Sequence, residues 1–361
     1  EPARTAEMMA GEQSSGTFVA VPGETPELKA RFAARVESLE IVGEAAVPSL
    51  PGSAAPKAGG HYAQARVRIS WPLEVIGPSL PSLAATIAGN LFELKALSGI
   101  RLLDVHLPLA FAEHYSGPRF GVAGTRRLAG VEGRPLIGTI VKPSVGLDPA
   151  ATAALVGELA EAGLDFIKDD ELQSDGPACP FAARVDAVMV AVERAADRHG
   201  RKVMVAFNLT GETDEMRRRH DHVLARGGTC VMVSLNSVGL AGFLGLARHS
   251  QLPIHAHRNG WGALSRSPAL GWSYPAWSKL WRLAGADHLH VNGLANKFAE
   301  ADDSVIASAR SLSDPLFAHA PMAAMPVFSS GQTVRQAAGT YAALCSADLL
   351  HAAGGGILAH P

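Results

Sequence analysis

Four ionisable residues stand in a row at Lys168-Asp169-Asp170-Glu171, directly after the short apolar run Gly163-Leu164-Asp165-Phe166-Ile167. The run reads as a buried strand. A lysine and three carboxylates therefore fall at the carboxyl end of a strand, where α/β folds place their chemistry. Packing gives no reason for four such groups there. A hard divalent cation does, because Mg²⁺ takes carboxylate oxygens in an octahedron. A protonated lysine has no lone pair and repels a metal. A neutral lysine that adds CO₂ becomes a carbamate, a third anionic oxygen ligand. A surface salt-bridge cluster is the other reading of the same four residues, and the surrounding sequence weighs against it.

Such a site needs a scaffold. From about Gly138 the chain repeats strand-then-helix units, with strands expected at 136–142, 163–168, 202–208, 229–235, 253–257, 286–290, 325–329 and 347–353. Helices between them include 149–162, 181–199, 212–226, 272–284 and 331–344, the first opened by Asp148-Pro149, a cap followed by proline at the first helical position. Eight such strands, each parallel to the last, close a (β/α)8 barrel. Each predicted strand end carries polar or glycine residues: Lys142, then Lys168 with Asp170 and Glu171, Asn208, Ser234 with Asn236, His255 to Arg258, His290, Ser329-Ser330, and Gly354-Gly355-Gly356. Residues before about 125 have another texture. Val36–Val42 and Tyr62–Ser70 alternate as half-buried strands do, Pro51 to Gly60 reads as a loop, and Ser82 to Ala88 as a helix. The expected domains are thus a small α+β domain over 1–125 and an α/β barrel over 126–361. The chain stops just after strand eight, so the last barrel helix is expected to be missing, and Glu1-Pro2-Ala3 does not look like a natural start.

The chain has 361 residues, 47% hydrophobic and 18% charged, with a net charge of -2. Without a basic stripe, no nucleic-acid partner is expected. No apolar run has the length of a membrane span and no signal peptide is visible, so no membrane partner is expected either. Cys179, Cys230 and Cys345 have neither metal nor redox spacing and read as reduced thiols in a cytoplasmic protein.

The ordered motifs resemble ribulose-bisphosphate carboxylase/oxygenase (RuBisCO), and more closely its non-carboxylating relatives, the type IV RuBisCO-like proteins, over nearly the whole chain. Gly138-Thr139-Ile140-Val141-Lys142-Pro143 is similar to the segment with the family's first catalytic lysine. Lys168, Asp170 and Glu171 resemble its carbamylated lysine and two metal-binding carboxylates. His255-Ala256-His257-Arg258 resembles the strand-five motif with a catalytic histidine and a phosphate-binding arginine. Asp287-His288-Leu289-His290 with Lys297 is similar to the strand-six histidine and mobile-loop lysine. Ser330-Gly331 and Gly354-Gly355 resemble the phosphate sites of strands seven and eight. Glu12, Thr17 and Asn90 resemble residues that reach into a partner subunit's site, which implies a homodimer with shared active sites and leaves assembly beyond the dimer open. The resemblance implies a C-terminal (β/α)8 TIM barrel preceded by a small α+β, ferredoxin-like domain. Ser144, Asn296, Gln332 and the stretch Asn259-Gly260-Trp261-Gly262 depart from the carboxylase pattern, which points away from true carboxylation.

The family's shared chemistry is an enediolate beside a ketone, with Mg²⁺ as Lewis acid. On this reading Lys142 is the proton shuttle, its pKa lowered near a metal cation, and the carbamate oxygen of Lys168 is the rival base. His257 and His290 are expected as acid/base groups or hydrogen-bond donors to substrate, His255 and His288 as structural. Asn208 is expected to orient substrate hydroxyls or a metal-bound water. Arg258 suits a phosphate through its planar fork, and the glycines through unobstructed N–H groups. The favoured reaction is decarboxylation of a phosphorylated 3-oxo sugar acid, such as 3-oxo-isoapionate 4-phosphate. Lys297 and Glu12, which resemble the pair that steadies a carboxylate, favour it. The alternative is an enolase or isomerase of methionine salvage, acting on 2,3-diketo-5-methylthiopentyl 1-phosphate or 5-methylthioribulose 1-phosphate. A non-catalytic binding protein is the third reading, and the intact lysine–carboxylate set argues against it.

Overall fold

The computed structural model describes residues 1–17, 19, 21–56 and 60–360. Residues 57–59 of the expected Pro51 to Gly60 loop, together with Phe18, Ala20 and Pro361, lie outside the described residues. The chain divides into two compact units, one of Glu1–Phe111 with Gly262–Ala276, the other of Ala112–Trp261 with Trp277–Pro361.

The second unit contains a closed barrel of eight parallel strands. In order they are Leu136–Ile140, Phe166–Lys168, Met204–Asn208, Cys230–Ser234, Ile254–His257, His288–His290, Met325–Phe328 and Leu350–Ala352, here called barrel strands one to eight. All eight fall within the stretches expected from sequence. Strands two, three and four are buried along their whole length. Strands covered on both faces read as continuous apolar runs rather than alternation, which is why they were legible. Leu136, Phe166, Met204, Cys230, Met232, Met325, Val327 and Leu350 fill the core they enclose. The five expected helices are present, and Asp148 caps Pro149–Glu161 by accepting from the Ala151 N–H. Helices Leu235–His249 and Asp302–Ser311 went unread in the sequence. The first is rich in leucine and glycine, and Gly239 at φ 69° interrupts it, so it lacks a polar face with helical period.

Two aspartates anchor the amino-terminal ends of barrel strands. Asp165, just before strand two, receives Arg134 through two N–H groups at 2.6 and 2.9 Å, Arg201 at 2.7 Å and the Ile137 N–H at 2.8 Å. Asp287, just before strand six, accepts the N–H groups of Phe120, Gly121 and Ile254.

The first unit is α+β. Strands Arg35–Ala45 and Tyr62–Ser70 pair antiparallel, and helices Pro2–Glu12, Pro26–Phe32 and Leu80–Ala88 accompany them. A second pairing, parallel, joins Ile100–Leu102 to Leu270–Trp272. The first unit thus ends at Phe111, short of residue 125, and takes in a stretch from the middle of the barrel sequence. Among the described residues no helix is long and apolar enough to cross a membrane.

Candidate active site

Alternation along strand two decides where its charges go. Lys168 and Asp170 point to one side and Asp169 to the other. Asp169 accepts from Arg184 at 3.1 Å and from the Asn208 N–H at 2.9 Å. Arg184 is itself buried and also binds the carbonyls of Ser174 and Cys179, so Asp169 belongs to the scaffold. That leaves Lys168, Asp170 and Glu171 for chemistry.

Lys168 is only 1% exposed. Its Nζ donates to the Asp169 carbonyl at 2.7 Å and lies 3.4 Å from Glu171 Oε2. Burial lowers its pKa, against the pull of Glu171 and Asp170. A lowered pKa favours the neutral amine, the form that adds CO₂. Asp170 meets the Lys142 ammonium through Oδ2 and accepts the Leu172 N–H at 3.0 Å. Glu171 Oε2 also lies 3.6 Å from His257 Nε2. Burial works against the charge on Glu171, but His257 and Lys168 outweigh it and hold the carboxyl below the usual range. Burial pushes His257 down to about 4, so it is neutral at pH 7. Two carboxylates and an amine disposed to be neutral, aimed at one place, fit a hard divalent cation with a lysine carbamate.

The Asn208 side chain, expected to orient substrate hydroxyls or a metal-bound water, is engaged by the protein. Its amide donates to the carbonyls of Asp170 and Glu171 at 3.3 and 3.2 Å, and its Oδ1 accepts from Thr210. It fixes the backbone that carries both carboxylates. Lys142, at the end of strand one, also donates to Ser144 at 2.8 Å. Gly354 is next to it: a Cβ there would lie 3.6 Å from Lys142 Cε. Strands one, two, five and eight thus bring Lys142, Lys168, Asp170, Glu171, His257 and Gly354 together. Gly355 is open, with nothing within 4 Å of a built Cβ.

A second group forms across strands five to seven. Arg258 donates to Glu300 at 3.0 Å, Glu300 also accepts from Asn292, and Ser330 donates to Asn292 Oδ1 at 3.0 Å. The Ser330 hydroxyl proton is thereby committed within the protein. Gly331, at φ 76°, packs beside Lys297, which is exposed. Glu300 was not singled out in the sequence, since one glutamate before a helix carries no signal by itself.

The histidines form a chain through the barrel. The Thr125 hydroxyl donates to the Gly121 carbonyl and meets His288 Nε2 at 2.8 Å. Nδ1 of His288 and of His255 lie 3.3 Å apart, His255 Nε2 meets His290 Nε2 at 2.7 Å, and His290 Nδ1 meets Ser329 Oγ at 2.9 Å. Burial holds His255 and His290 well below their usual pKa and His288 at about 3, so all three are neutral. With its one proton on Gly121, Thr125 must accept from His288, and each tautomer along the chain follows. Both His290 nitrogens have partners inside the protein in this arrangement. The ring lies against His257, with centroids 4.3 Å apart.

Glu12, Thr17 and Asn90 belong to the other unit. Glu12 ends helix Pro2–Glu12, Thr17 is exposed and paired with Glu24, and Asn90 opens a 3₁₀ turn. Among the described residues, His220, Asp221 and His249 also have ligand atoms close enough for a metal. However, the Gln251 N–H donates to His220 Nε2 at 3.1 Å, which places the neutral ring's proton on Nδ1, facing Asp221 at 2.9 Å. A donor faces the place where a lone pair is needed.

Comparison with known proteins gives a consistent result. Residues 121–361 match the profile of the ribulose bisphosphate carboxylase large chain, catalytic domain, and residues 1–111 that of its N-terminal domain. The chain is 64% identical over its full length to the 3-oxo-isoapionate-4-phosphate transcarboxylase/hydrolase of Xanthobacter autotrophicus, covering 86% of that protein. It is 46% identical to the 3-oxo-isoapionate-4-phosphate decarboxylase of Rhizobium etli, with 99% of this chain and 85% of that one covered. The crystal structure of a rubisco-like protein from Burkholderia fungorum superposes with a TM-score of 0.93 at 50% identity, covering 100% of this chain and 87% of that one.

Proposed function

The chain belongs to the ribulose bisphosphate carboxylase large-chain family, and from that premise we propose that it breaks the bond to the carboxyl group of 3-oxo-isoapionate 4-phosphate. The observation that carries this reading is that buried Lys168 lies beside Glu171 and feels the charge of Asp170 as well, with Lys142 paired to Asp170. Relatives at 64% and 46% identity bear names that share this substrate.

A carboxylate β to a ketone leaves as CO₂ when the electron pair of its bond passes to the ketone oxygen as an enediolate. Mg²⁺, held by Asp170, Glu171 and a carbamate on Lys168, would supply Lewis-acid stabilisation of that developing charge. Asn208 keeps the two carboxylates in register by holding their backbone. Lys142 holds a proton at Nζ, part-exposed at the strand ends, for transfer to or from substrate. Neutral His257 offers a polar edge beside Glu171 without adding a cation. Gly354, Gly355, Gly331 and Arg258 are the groups proposed to receive the phosphate, the glycines through backbone N–H groups.

After bond cleavage two outcomes are open to the same enediolate. It is protonated and the CO₂ escapes, which is decarboxylation. Otherwise its second carbon attacks the CO₂, and water then cleaves the new keto acid into two acids, which is transcarboxylation and hydrolysis. We favour the second because the relative so named is the more similar of the two. We further place the protein in the cytoplasm, consistent with three free cysteines. We propose a homodimer in which Glu12, Thr17 and Asn90 complete the partner's site; the half-exposed Ile41 and Val42 of the first unit suit a covered surface.

The test is turnover of 3-oxo-isoapionate 4-phosphate with Mg²⁺ and bicarbonate, following both CO₂ and acid products, with Lys168→Met as control. Two acids formed with little free CO₂ support the favoured outcome, and CO₂ as the main product selects decarboxylation. No turnover of this substrate sinks the reading.

A further inference from the structure

Gln332 lies in the turn between barrel strand seven and helix Val334–Leu344, where a glutamine has no obvious packing purpose. It is only 2% exposed. Its amide reaches across to the loop after strand six, donating from Nε2 to the Leu294 carbonyl at 3.0 Å and, more weakly, to its own turn at Ser330, 3.4 Å. The loop has been shaped to admit it. A Cβ on Gly293 would lie 2.0 Å from Gln332 Cδ and 2.2 Å from Nε2, so only glycine allows the amide to press flat on that backbone. The main chain of Gln332 is closely packed too, since a Cβ on Gly356 would lie 2.2 Å from its backbone carbonyl oxygen. The amide orientation is fixed, because both neighbours of Nε2 are carbonyls and a flipped amide would set oxygen against oxygen. Oε1 is left buried with no hydrogen-bond partner. An orphaned buried acceptor is unfavourable, and an apolar side chain of the same size would avoid it. The donor bond to Leu294 is what an apolar side chain cannot provide.

The fastened segment is the one that carries Lys297. Beyond Leu294, Asn296 ties the loop to itself through the carbonyls of Gly293 and Glu300 at 2.9 and 3.2 Å, and Ala295 N–H reaches Asp302 at 2.8 Å. Lys297 itself lies over Gly331, the residue before Gln332, with Cβ 3.6 Å from where a side chain would begin. The Ala295 bond ties the loop to the start of helix Asp302–Ser311, and the Gln332 amide ties it to the turn after strand seven, beyond the Ser330 bond to Asn292 at the loop's start.

We propose that Gln332 is a positioning residue that latches the Lys297 loop to the strand-seven turn, and that this latch sets how much of the CO₂ released from the substrate is kept for re-addition. The second half rests on the reaction proposed above. Retention requires that the CO₂ stay beside the enediolate until the new carbon–carbon bond forms, and a loop that opens in that interval lets it leave. No other reactant is needed: the electron pair left by the first bond forms the second, and water completes the hydrolysis.

Two variants test it, Gln332→Leu and Gln332→Met, each near the original volume and without the donor. Trypsin cuts after Lys297, and cleavage at Lys297–Phe298 requires local opening of the loop. The expected result is cleavage faster by about tenfold in both variants at an unchanged thermal midpoint. Equal cleavage rates in wild type and both variants overturn the latch. With carboxyl-labelled 3-oxo-isoapionate 4-phosphate, the variants should release a several-fold larger fraction of label as free CO₂ while KM changes little. Faster cleavage with an unchanged CO₂ fraction overturns the role in retention. If the wild type does not turn this substrate over, the proposed reaction fails and the retention role with it, while the cleavage rates still decide the latch.

Discussion

Asp165 and Asp170 stand at opposite ends of one three-residue strand, and their surroundings are opposite too. Asp165 meets three guanidinium N–H groups and one backbone N–H, all within 2.9 Å. Asp287 repeats this at strand six with three backbone N–H groups. At the carboxyl end, Asp170 has one backbone donor and the Lys142 ammonium, while Glu171 has its own backbone N–H and, farther off, Lys168 and His257 at 3.4 and 3.6 Å. The difference teaches how to separate holding from doing when residue types agree. A carboxylate saturated by short bonds has no capacity left for a ligand. One held by fewer and longer contacts keeps it.

The contrast can be broken most directly at Lys168. Lys168→Met should remove turnover by roughly a thousand-fold or more, as expected when several kcal/mol of Lewis-acid stabilisation is lost. Its melting temperature should hold or rise, because a buried amine is removed. A turnover assay beside a thermal melt checks both, and a substantially active variant would remove Lys168 from the metal site. Next comes Asn208→Ala, which removes the two amide bonds to the backbone beneath Asp170 and Glu171 together with the acceptor for Thr210. Mg²⁺ affinity, measured by calorimetry in bicarbonate, should weaken by about 10–100-fold. Unchanged affinity would mean that the two carboxylates hold their places unaided.

At the other end the expected effect moves from activity to stability. Asp165→Asn should destabilise by about 2–3 kcal/mol, less than for a fully buried ion pair because Arg134 and Arg201 remain partly exposed. Activity per folded molecule should stay the same, as denaturation curves and active-site titration would reveal. The smallest effect is on the acid limb. Burial raises the Asp165 pKa, but Arg134, the Ile137 N–H and Arg201 outweigh it, so the folded value lies below the ordinary one. Its stabilisation is therefore full above the unfolded value of about 3.9 and is lost as pH falls through the folded value. Asp165→Asn should flatten stability against pH below about 4. Asp287 has the opposite sign, since burial raises it despite three N–H bonds. An acid limb as steep in Asp165→Asn as in wild type would assign that slope to other carboxylates.

Much of this was legible before any coordinates. Short runs ending in polar residues or glycine marked the barrel strands, and strands two, three and four, buried on both faces, are apolar almost throughout. Lys168-Asp169-Asp170-Glu171 was visible because four ionisable residues in a row at a strand end are unusual. The sorting of its members was harder. Asp169 belongs to Arg184, fifteen residues on in an amphipathic helix where an arginine is unremarkable. The residue type of Asn208 suits a substrate contact and says nothing of its protein partners, Thr210 and two carbonyls of another strand's loop. The His290 pairing needs Thr125, His255, His288 and Ser329 in one line, from four places in the chain. Gln332 was noticed only as a departure from a pattern, and its partner at Leu294 is a backbone atom, which no residue type reveals.

The stretch Gly262–Ala276 has a consequence for how the protein is made. Ile100–Leu102 finds its parallel partner in Leu270–Trp272, which is translated only after five of the eight barrel strands. As the chain emerges from the ribosome, the amino-terminal unit must therefore wait with one strand unpaired while most of the barrel sequence follows it out. Folding in order of synthesis, the usual protection of a leading domain, is closed to it.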